Sequence, residues 1–151
     1  MENGCHPLDA LAGAAKGGIN MREILFRGKR KDNEEWSEGC LIRDEFCNTD
    51  IPYIGYLSDY DIGAVEVYPE TVGQFTGLTD KNDKKIFEGD IVKNEYEDGK
   101  HQNFKIFYNV KTLQWEVMNK YGMRGILRNV IGNMEVIGNI HDNPELLGVT
   151  E

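Results

Sequence analysis

The sequence predicts a mainly β fold, with many short antiparallel strands around a small SH3-like barrel or sandwich core and little helix. Roughly eight or nine short apolar runs are bounded by turn-forming residues, which is typical of a strand-rich domain. No amphipathic stretch continues for more than about three helical turns. Glycine is abundant, with 17 residues, and proline is scarce, with 4. This ratio favours many turns with positive φ over rigid linkers.

In the first half of the chain, short apolar runs alternate with turn-forming segments. REILFRGKR is the first β-prone run, and DNEEW supplies a turn before the next run, SEGCLIRDEF. In AVEVYPE, Val65 and Val67 alternate with polar residues ahead of Pro69, which suits the end or the edge of a strand. TVGQFTGL is a further short strand, in which Gly73 indicates a bulge or a bend.

The second half continues the same pattern. KKIF and DIVKNEY are predicted strands, and two more are predicted at Asn103–Val110 and Gln114–Lys120 with a hairpin connection between them. The letters VIGN occur twice, at Val130–Asn133 and Val136–Asn139. Two copies are too few for a repeat architecture, so they indicate either two similar strand edges or a helical turn followed by a strand. HDNPEL then ends the fold with an Asx-Pro turn.

Residues 1–20 differ in composition from the rest of the chain. They are small, weakly apolar and rich in glycine and alanine, and the amino-acid composition changes sharply at Met21. We therefore predict a flexible N-terminal extension over residues 1–20 and a single β domain over residues 21–151, a length that can bury a core. Cys5 and His6, which lie in the extension, then need no functional role.

The net charge and the cysteine content limit which partners and which cellular compartment are expected. The formal net charge is −9 and the isoelectric point is about 4.9. An acidic protein is repelled by phosphate backbones, so nucleic acid is disfavoured as a partner. The sequence has three cysteines, which is an odd number, and their spacing does not match a disulfide framework. Both observations favour a reducing cytoplasm over a secreted disulfide scaffold. No apolar run approaches about eighteen residues, so we expect no membrane-spanning segment.

One local cluster opposes the acidic balance. The stretch MREILFRGKRK contains five cations, namely Arg22, Arg27, Lys29, Arg30 and Lys31. With Phe26 and Trp36 nearby, these cations could hold a strand of nucleic acid through charge and base stacking. The alternative is a solvated edge strand, in which Lys and Arg prevent edge-to-edge aggregation.

The stretch TGLTDKNDKKIFEGDIVKNEY raises the question of an acidic site. Counted from Asp80, a calcium loop needs a glycine at the sixth position and a glutamate at the twelfth, but these positions hold Lys85 and Ile91. Turn chemistry explains the acids better than a metal site does. The predicted structural turn motif comprises Gly77, Asp80, Asn82, Asp83, Glu88, Gly89 and Asp90.

Glu88 and Asp90 are the remaining candidates for catalysis. Two residues apart on a continuous strand, they would share a face, and paired carboxylates can divide acid and base roles. The alternative, which we favour, is a tight corner at Gly89 in which Asp90 accepts backbone N–H groups. No nucleophile motif accompanies His101 or His141, and neither a phosphate loop nor zinc-ligand spacing occurs. We therefore expect no enzyme activity, no metal and no cofactor.

Four tyrosines lie between Pro52 and Pro69, namely Tyr53, Tyr56, Tyr60 and Tyr68. Tyrosine is common in binding interfaces, so this group is a candidate interaction surface. The same residues can equally form a second small core beneath a long loop. The sequence leaves these two alternatives open.

Three segments together resemble the YopX family of bacteriophage and prophage proteins. They are MREILFRGKRK (Met21–Lys31), QFTGLTDKNDKKIFEGDIVK (Gln74–Lys93) and EVIGNIHDNPELL (Glu135–Leu147). The resemblance extends from residue 21 to about residue 148. The chain departs from the family at Asp83, where the turn usually has glycine, and at Gly28-Lys29, where an aromatic Ala-Trp step often follows FR.

The resemblance implies a mainly β fold and a setting in a phage or prophage genome, hence the cytoplasm of a bacterial host. It supplies no catalytic residue. The first hypothesis is therefore a non-catalytic protein-interaction module that forms homo-oligomers and contacts phage or host proteins. The alternatives are a nucleic-acid-binding module that uses residues 22–31 and a small enzyme that uses Glu88 and Asp90.

Overall fold

The chain folds into two antiparallel sheets. The computed structural model describes residues 22–43 and 51–148. The extension predicted over residues 1–20 lies outside the described residues. The strands are β1 (Phe26–Lys29), β2 (Trp36–Arg43), β3 (Pro52–Leu57), β4 (Ile62–Glu66), β5 (Gly73–Thr79), β6 (Lys85–Phe87), β7 (Asp90–Glu95), β8 (His101–Asn109), β9 (Gln114–Met118), β10 (Arg124–Ile126) and β11 (Met134–Asn139).

The strand order is β4-β3-β2-β1-β5-β6 in the six-stranded sheet and β10-β9-β8-β7-β11 in the five-stranded sheet. Helix is confined, in the described ranges, to the single turn α1 (Leu127–Val130) and to short 3-10 turns at Pro69–Thr71, Ile131–Asn133 and Pro144–Leu147. The prediction of a mainly β fold with short antiparallel strands and little helix is confirmed. The strands form two sheets rather than one closed barrel.

The main core lies against one face of the five-stranded sheet. Its buried members are Ile86, Val92, Phe104, Ile106, Val117, Leu127, Ile131 and Met134. In β8, Phe104 and Ile106 face this core while Lys105 between them is only half-buried, as the two-residue period of a strand requires. Full burial of each such side chain contributes about 1.5–3 kcal/mol. Since Ile86 belongs to β6, the core also attaches the six-stranded sheet to the five-stranded one.

The two VIGN copies adopt different structures. Val130 ends α1 and Ile131–Asn133 forms a 3-10 turn, whereas the second copy lies in β11 and pairs with β7. Ile131 is buried in the main core, so the first copy serves as a cover for the sheet rather than as one of its strands. Of the two alternatives, the helical turn followed by a strand is therefore the observed one.

The bulge expected at Gly73 lies elsewhere in β5. The register between β5 and β6 shifts between Phe75 and Thr79, a span that contains Gly77 with a φ of 84°. Gly73 has a different reason to be glycine, because a Cβ there would lie 2.6 Å from the carbonyl oxygen of Glu88. The sequence thus indicated an irregular strand correctly but placed the irregularity at the wrong glycine.

Asp80 closes the β5–β6 hairpin and fixes it to the other sheet. Its Oδ1 accepts the N–H groups of Asn82 at 2.8 Å and Lys84 at 3.0 Å, and its Oδ2 accepts the N–H of Val136 in β11 at 2.8 Å. Burial raises the pKa of Asp80, but these three donors outweigh it and hold the pKa below its ordinary value. A single buried carboxylate therefore joins the two sheets at this corner.

Asp83 occupies the left-handed region in the same hairpin, with a φ of 62°. We expect Asp83→Gly to raise the free energy of unfolding by about 0.5–1 kcal/mol. The left-handed conformation costs an L-residue about 1–2 kcal/mol, and the greater freedom of glycine in the unfolded chain offsets about 0.5–1 kcal/mol of that gain. Urea denaturation measures the difference. Asp83→Ala is the control, since it keeps a Cβ at this φ, and a stability gain equal to that of glycine would contradict the argument.

Candidate functional site

Arg27 of β1 is held in a buried cage of rings and carboxylate. Its guanidinium carbon lies 4.6 Å from the ring centroid of Trp36 and 4.8 Å from that of Phe87. Its Nη2 donates to Oδ1 of Asp90 at 2.5 Å, and Oδ2 of Asp90 accepts the backbone N–H of Phe87 at 2.8 Å. The side chains of Arg27 and Asp90 are 12% and 1% exposed. This ion pair therefore joins β1 of one sheet to β7 of the other.

The electrostatics of Asp90 follow from this burial. Removal from water raises the pKa of the carboxyl above its ordinary value, and the Arg27 guanidinium and the Phe87 N–H oppose that effect in part. Within the described residues, Nε of Arg27 has no hydrogen-bond partner. Arg27 and Asp90 are both removed from water, and each is the counterion of the other. Removal of either one leaves the other charge buried and unpaired, which costs much stability.

A second carboxylate, Asp142, extends the cluster. Its Oδ1 accepts from Nζ of Lys29 at 2.8 Å, and its Oδ2 accepts from Nε1 of Trp36 at 2.7 Å and from Nδ2 of Asn139 at 3.0 Å. Burial acts to raise the pKa of Asp142, but these donors lower it from 3.8 to about 2. The ring of His141 lies 6.0 Å from that of Trp36, and burial, then the nearby Arg27 charge, lowers the pKa of His141.

Sequence reasoning missed most of this cluster. Trp36 and Asp142 are hydrogen-bonded although they are 106 positions apart. His141 was noted only as an isolated histidine and Asp142 only as part of a turn. One signal for this contact was present in the sequence, because REILFRGKR and HDNPEL both belong to the segments that carry the family resemblance. The two segments turn out to meet in space.

The basic segment is not a free cationic patch. Arg22 is exposed at the start of the described range, and each of the other four cations pairs with a carboxylate. The pairs are Arg27–Asp90, Lys29–Asp142, Arg30–Asp32 and Lys31–Glu66. Because these charges are already neutralised within the protein, the arrangement counts against the nucleic-acid hypothesis for residues 22–31.

Glu88 and Asp90 do not form an acid–base pair. Asp90 is turned inward, and its two oxygens are engaged by Arg27 and by the N–H of Phe87, which places Asp90 as the cap of its own turn. Gly89 between them has a φ of 83°, so the backbone here is a corner rather than a continuous strand. This geometry removes the premise of the enzyme hypothesis. In the described ranges, no group of three or more metal-ligating side chains is close enough to hold a metal ion.

The four tyrosines separate along an exposed hairpin. Tyr53 and Tyr56 lie on β3, Tyr60 lies at the tip of the β3–β4 hairpin, and Tyr68 follows β4. Tyr60 is 98% exposed, whereas Tyr53 and Tyr68 are half-buried. The hydroxyl of Tyr56 donates to Asp61 across the hairpin at 3.3 Å. Tyr60 at the tip is therefore the most exposed of the four, and the interaction surface expected at these tyrosines stays a prediction.

The buried ion pair gives a testable stability effect. We expect Arg27→Met to lower the free energy of unfolding by about 3–5 kcal/mol, since it leaves the Asp90 charge buried and unpaired. Asp90→Asn keeps an acceptor for the Phe87 N–H, and the double variant should lose less than the sum of the two single changes. A double-mutant cycle in urea measures the coupling.

Arg30→Met is the matched control for this cycle. The Arg30–Asp32 pair is exposed, so its loss should cost no more than about 1 kcal/mol. If Arg27→Met proves no more destabilising than Arg30→Met, the ion pair does not hold the sheets together.

The lowered pKa of Asp142 predicts that the protein loses stability in acid. Its pKa is lower in the folded protein than in the unfolded chain, so its contribution is complete above about pH 4 and is lost as the pH falls toward about 2. After screening by solvent at this partly exposed site, we expect Asp142→Asn to cost about 1–2 kcal/mol near neutral pH and almost nothing at about pH 2. Urea denaturation across this range checks the prediction, and a pH-independent difference would contradict it.

The contribution of His141 to the free energy of unfolding is also lost as the pH falls, but over a higher pH range than that of Asp142. Because its pKa is lowered on folding, its contribution is present above about pH 6.5 and is lost as the pH falls through the folded value. His141→Gln therefore separates the two groups, since it should leave the decline below about pH 4 unchanged.

Comparison with known proteins agrees with the predicted family. A family model described as YopX protein matches residues 25–148, and no curated protein matches the chain. The crystal structure of protein EF1440 from Enterococcus faecalis is similar, with a TM-score of 0.52, 24% sequence identity, and coverage of 84% of this chain and 99% of that one. This likeness shows the fold alone. Since the family match spans most of the sequence, the chain belongs to the YopX family.

Proposed function

We propose that the protein is a non-catalytic protein-interaction module that associates with a second copy of itself through the open edge of β4. The observation that carries this proposal is the contrast between β4 and the other three sheet edges in the described residues. An edge strand presents unpaired N–H and C=O groups and pairs with another chain unless it is short, charged, bulged or covered. β4 lacks these protections over most of its length.

The other edges are blunted. β6 and β10 each contain three residues. β11 carries a register shift between Val136 and Gly138, and its outer groups are occupied, because Asp80 accepts the N–H of Val136 and Lys81 donates its N–H to the carbonyl of Met134 at 3.1 Å. These edges have little capacity to add a further strand.

β4 is regular and uncharged until its last residue. It has five residues in unbroken register with β3. Ser58 donates its N–H to the carbonyl of Asp61 at 2.8 Å, so the alternation of an antiparallel ladder directs the polar groups of Ile62 and Ala64 away from β3. Glu66, at the end of the strand, already has its carbonyl engaged by the N–H of Lys31.

Apolar side chains surround this edge. Leu57 is 67% exposed and Ile62 is 79% exposed, and Tyr60 at the adjoining tip is almost fully exposed. Large apolar groups that cluster beside unpaired backbone suit strand addition, in which the backbone gives affinity and the side chains add specificity. A second copy brings the same edge and the same apolar groups, so the contact is self-complementary.

The setting that goes with this proposal is the cytoplasm of a bacterial host of a phage or prophage, with phage or host proteins as further partners. Family membership supports the phage setting. Among the described residues, no helix has the length and apolar character needed to cross a lipid bilayer.

Ile62→Lys tests the edge. We expect the wild-type protein to be a dimer by size-exclusion chromatography with light scattering, and Ile62→Lys to weaken association by at least about tenfold, because a charge at the strand edge must be desolvated on pairing. Val110→Lys is the control, since it places the same charge on an apolar residue that is 73% exposed in the turn between β8 and β9. A monomeric wild type at high concentration, or equal weakening by both variants, would overturn the proposal.

A further inference from the structure

A largely apolar groove opens between the two sheets at one end of the main core. Its volume is about 390 Å³, within the range of small-molecule sites. The lining residues come from both sheets and from α1, and they are Thr76, Leu78, Gln114, Trp115, Ile126 and Arg128. None of them belongs to the β4 edge or to the ion-pair cluster, so the groove is a separate feature of the molecule.

Trp115 supplies the aromatic wall of the groove. It shares one face of β9 with Val117, two residues further along, and it packs against the main core. Val117 is 2% exposed whereas Trp115 is only half-buried, so the cover over this face is incomplete at the Trp115 end of the strand. Tyr108 lies opposite Trp115 in the β8–β9 register, and the two rings meet edge to face with their centroids 5.0 Å apart. This contact orients the indole without any ligand.

Two aliphatic residues add to this wall. Leu78 of β5 packs against the main core from the six-stranded sheet and remains half-buried. Ile126 is also half-buried, whereas the next residue, Leu127, is fully buried in the core where the chain passes from β10 into α1. Three apolar residues from three strands therefore line a groove that stays open to solvent. Their removal from water gives a ligand with an apolar body its driving force for binding.

Arg128 is the single charged residue among those that line the groove. It is exposed, and it forms no ion pair with another described residue. Arg128 thus differs from Arg27, Arg30 and their neighbours in the basic segment, which are paired within the protein. A guanidinium presents its N–H donors in a planar fork that matches a carboxylate. The groove therefore combines apolar walls with one positive charge that has no counterion in the described residues.

We infer that the groove binds a small apolar monoanion, namely an aromatic or aliphatic carboxylate. The hydrocarbon body packs against Trp115 and Leu78, and the carboxylate pairs with Arg128. One negative charge on the ligand matches the single cation of the lining. A dianion such as phosphate fits less well, because its second charge would lie unpaired beside apolar walls and is repelled by a protein with a net charge of −9.

The probe is phenylbutyrate, titrated into the full-length protein and followed by NMR through the indole N–H signals of the two tryptophans. We expect a saturable shift of the Trp115 signal with a Kd of about 1 mM or below. Trp36 is the internal control, because it lies in the ion-pair cluster and does not line the groove. Its signal should stay in place throughout the titration.

Arg128→Gln tests the role of the charge. It should raise the Kd for phenylbutyrate by about tenfold, because a charge-assisted hydrogen bond to the carboxylate is lost. Arg124→Gln is the matched control and should leave the Kd unchanged, since Arg124 is also exposed and without an ion pair to a described residue but does not line the groove. Added salt should weaken binding to the wild type and have little effect on Arg128→Gln.

Phenylbutanol and acetate separate the two parts of the probe. Phenylbutanol has the apolar body without the charge, and acetate has the charge without the body, so each should bind more weakly than phenylbutyrate. The absence of a saturable Trp115 shift would overturn the proposal, and so would an equal shift of Trp36 or the same Kd in Arg128→Gln and Arg124→Gln. Phenylbutanol binding as tightly as phenylbutyrate would overturn the assignment of an anionic ligand.

Discussion

The buried ion pair between Arg27 and Asp90 is the constraint on which the arrangement of the two sheets depends. β1 pairs with β2 over four residues but with β5 at only two positions, so the six-stranded sheet is weakly joined at its centre. Arg27 stands at one of those two positions and reaches past β5 to Asp90 in β7. A buried pair of charges adds little net stability, but it strongly penalises any arrangement that separates the charges. We therefore interpret it as the element that selects one register of β1.

The segment between Asp80 and Asp90 is a connector held by an acid at each end. Asp80 fixes the hairpin to β11 through the N–H of Val136, and Asp90 fixes the corner to β1 through Arg27. Between them, Ile86 enters the core of the five-stranded sheet. Asp80 and Asp90 are thus engaged in holding backbone N–H groups and a cation. This explains how a segment rich in carboxylates can carry the family resemblance without an acid–base site.

Local features were predictable from sequence, whereas the relations between distant segments were not. The turn at Asp80 and the corner at Gly89 follow from short-range hydrogen bonds and backbone preferences, which a few neighbouring residues determine. The basic segment was harder, because its partners Glu66, Asp90 and Asp142 lie far along the chain. Charges counted in a row cannot reveal which of them the fold neutralises. The same limit applies to β4, because its place at the edge depends on the order of all six strands.

The acidic charge of the chain bears on the proposed self-association. Two copies with a net charge of −9 repel one another at long range, but salt screens exposed charges beyond about 8–10 Å. Antiparallel pairing centred on Gly63 places Ile62 opposite Ala64 of the second copy and leaves Glu66, whose carbonyl Lys31 already engages, outside the new ladder, so no two acids of β4 face each other. Lys31 pairs with Glu66 and its positive charge offsets that of the carboxylate. The remaining repulsion comes from the body of the protein, so added salt strengthens association through this edge.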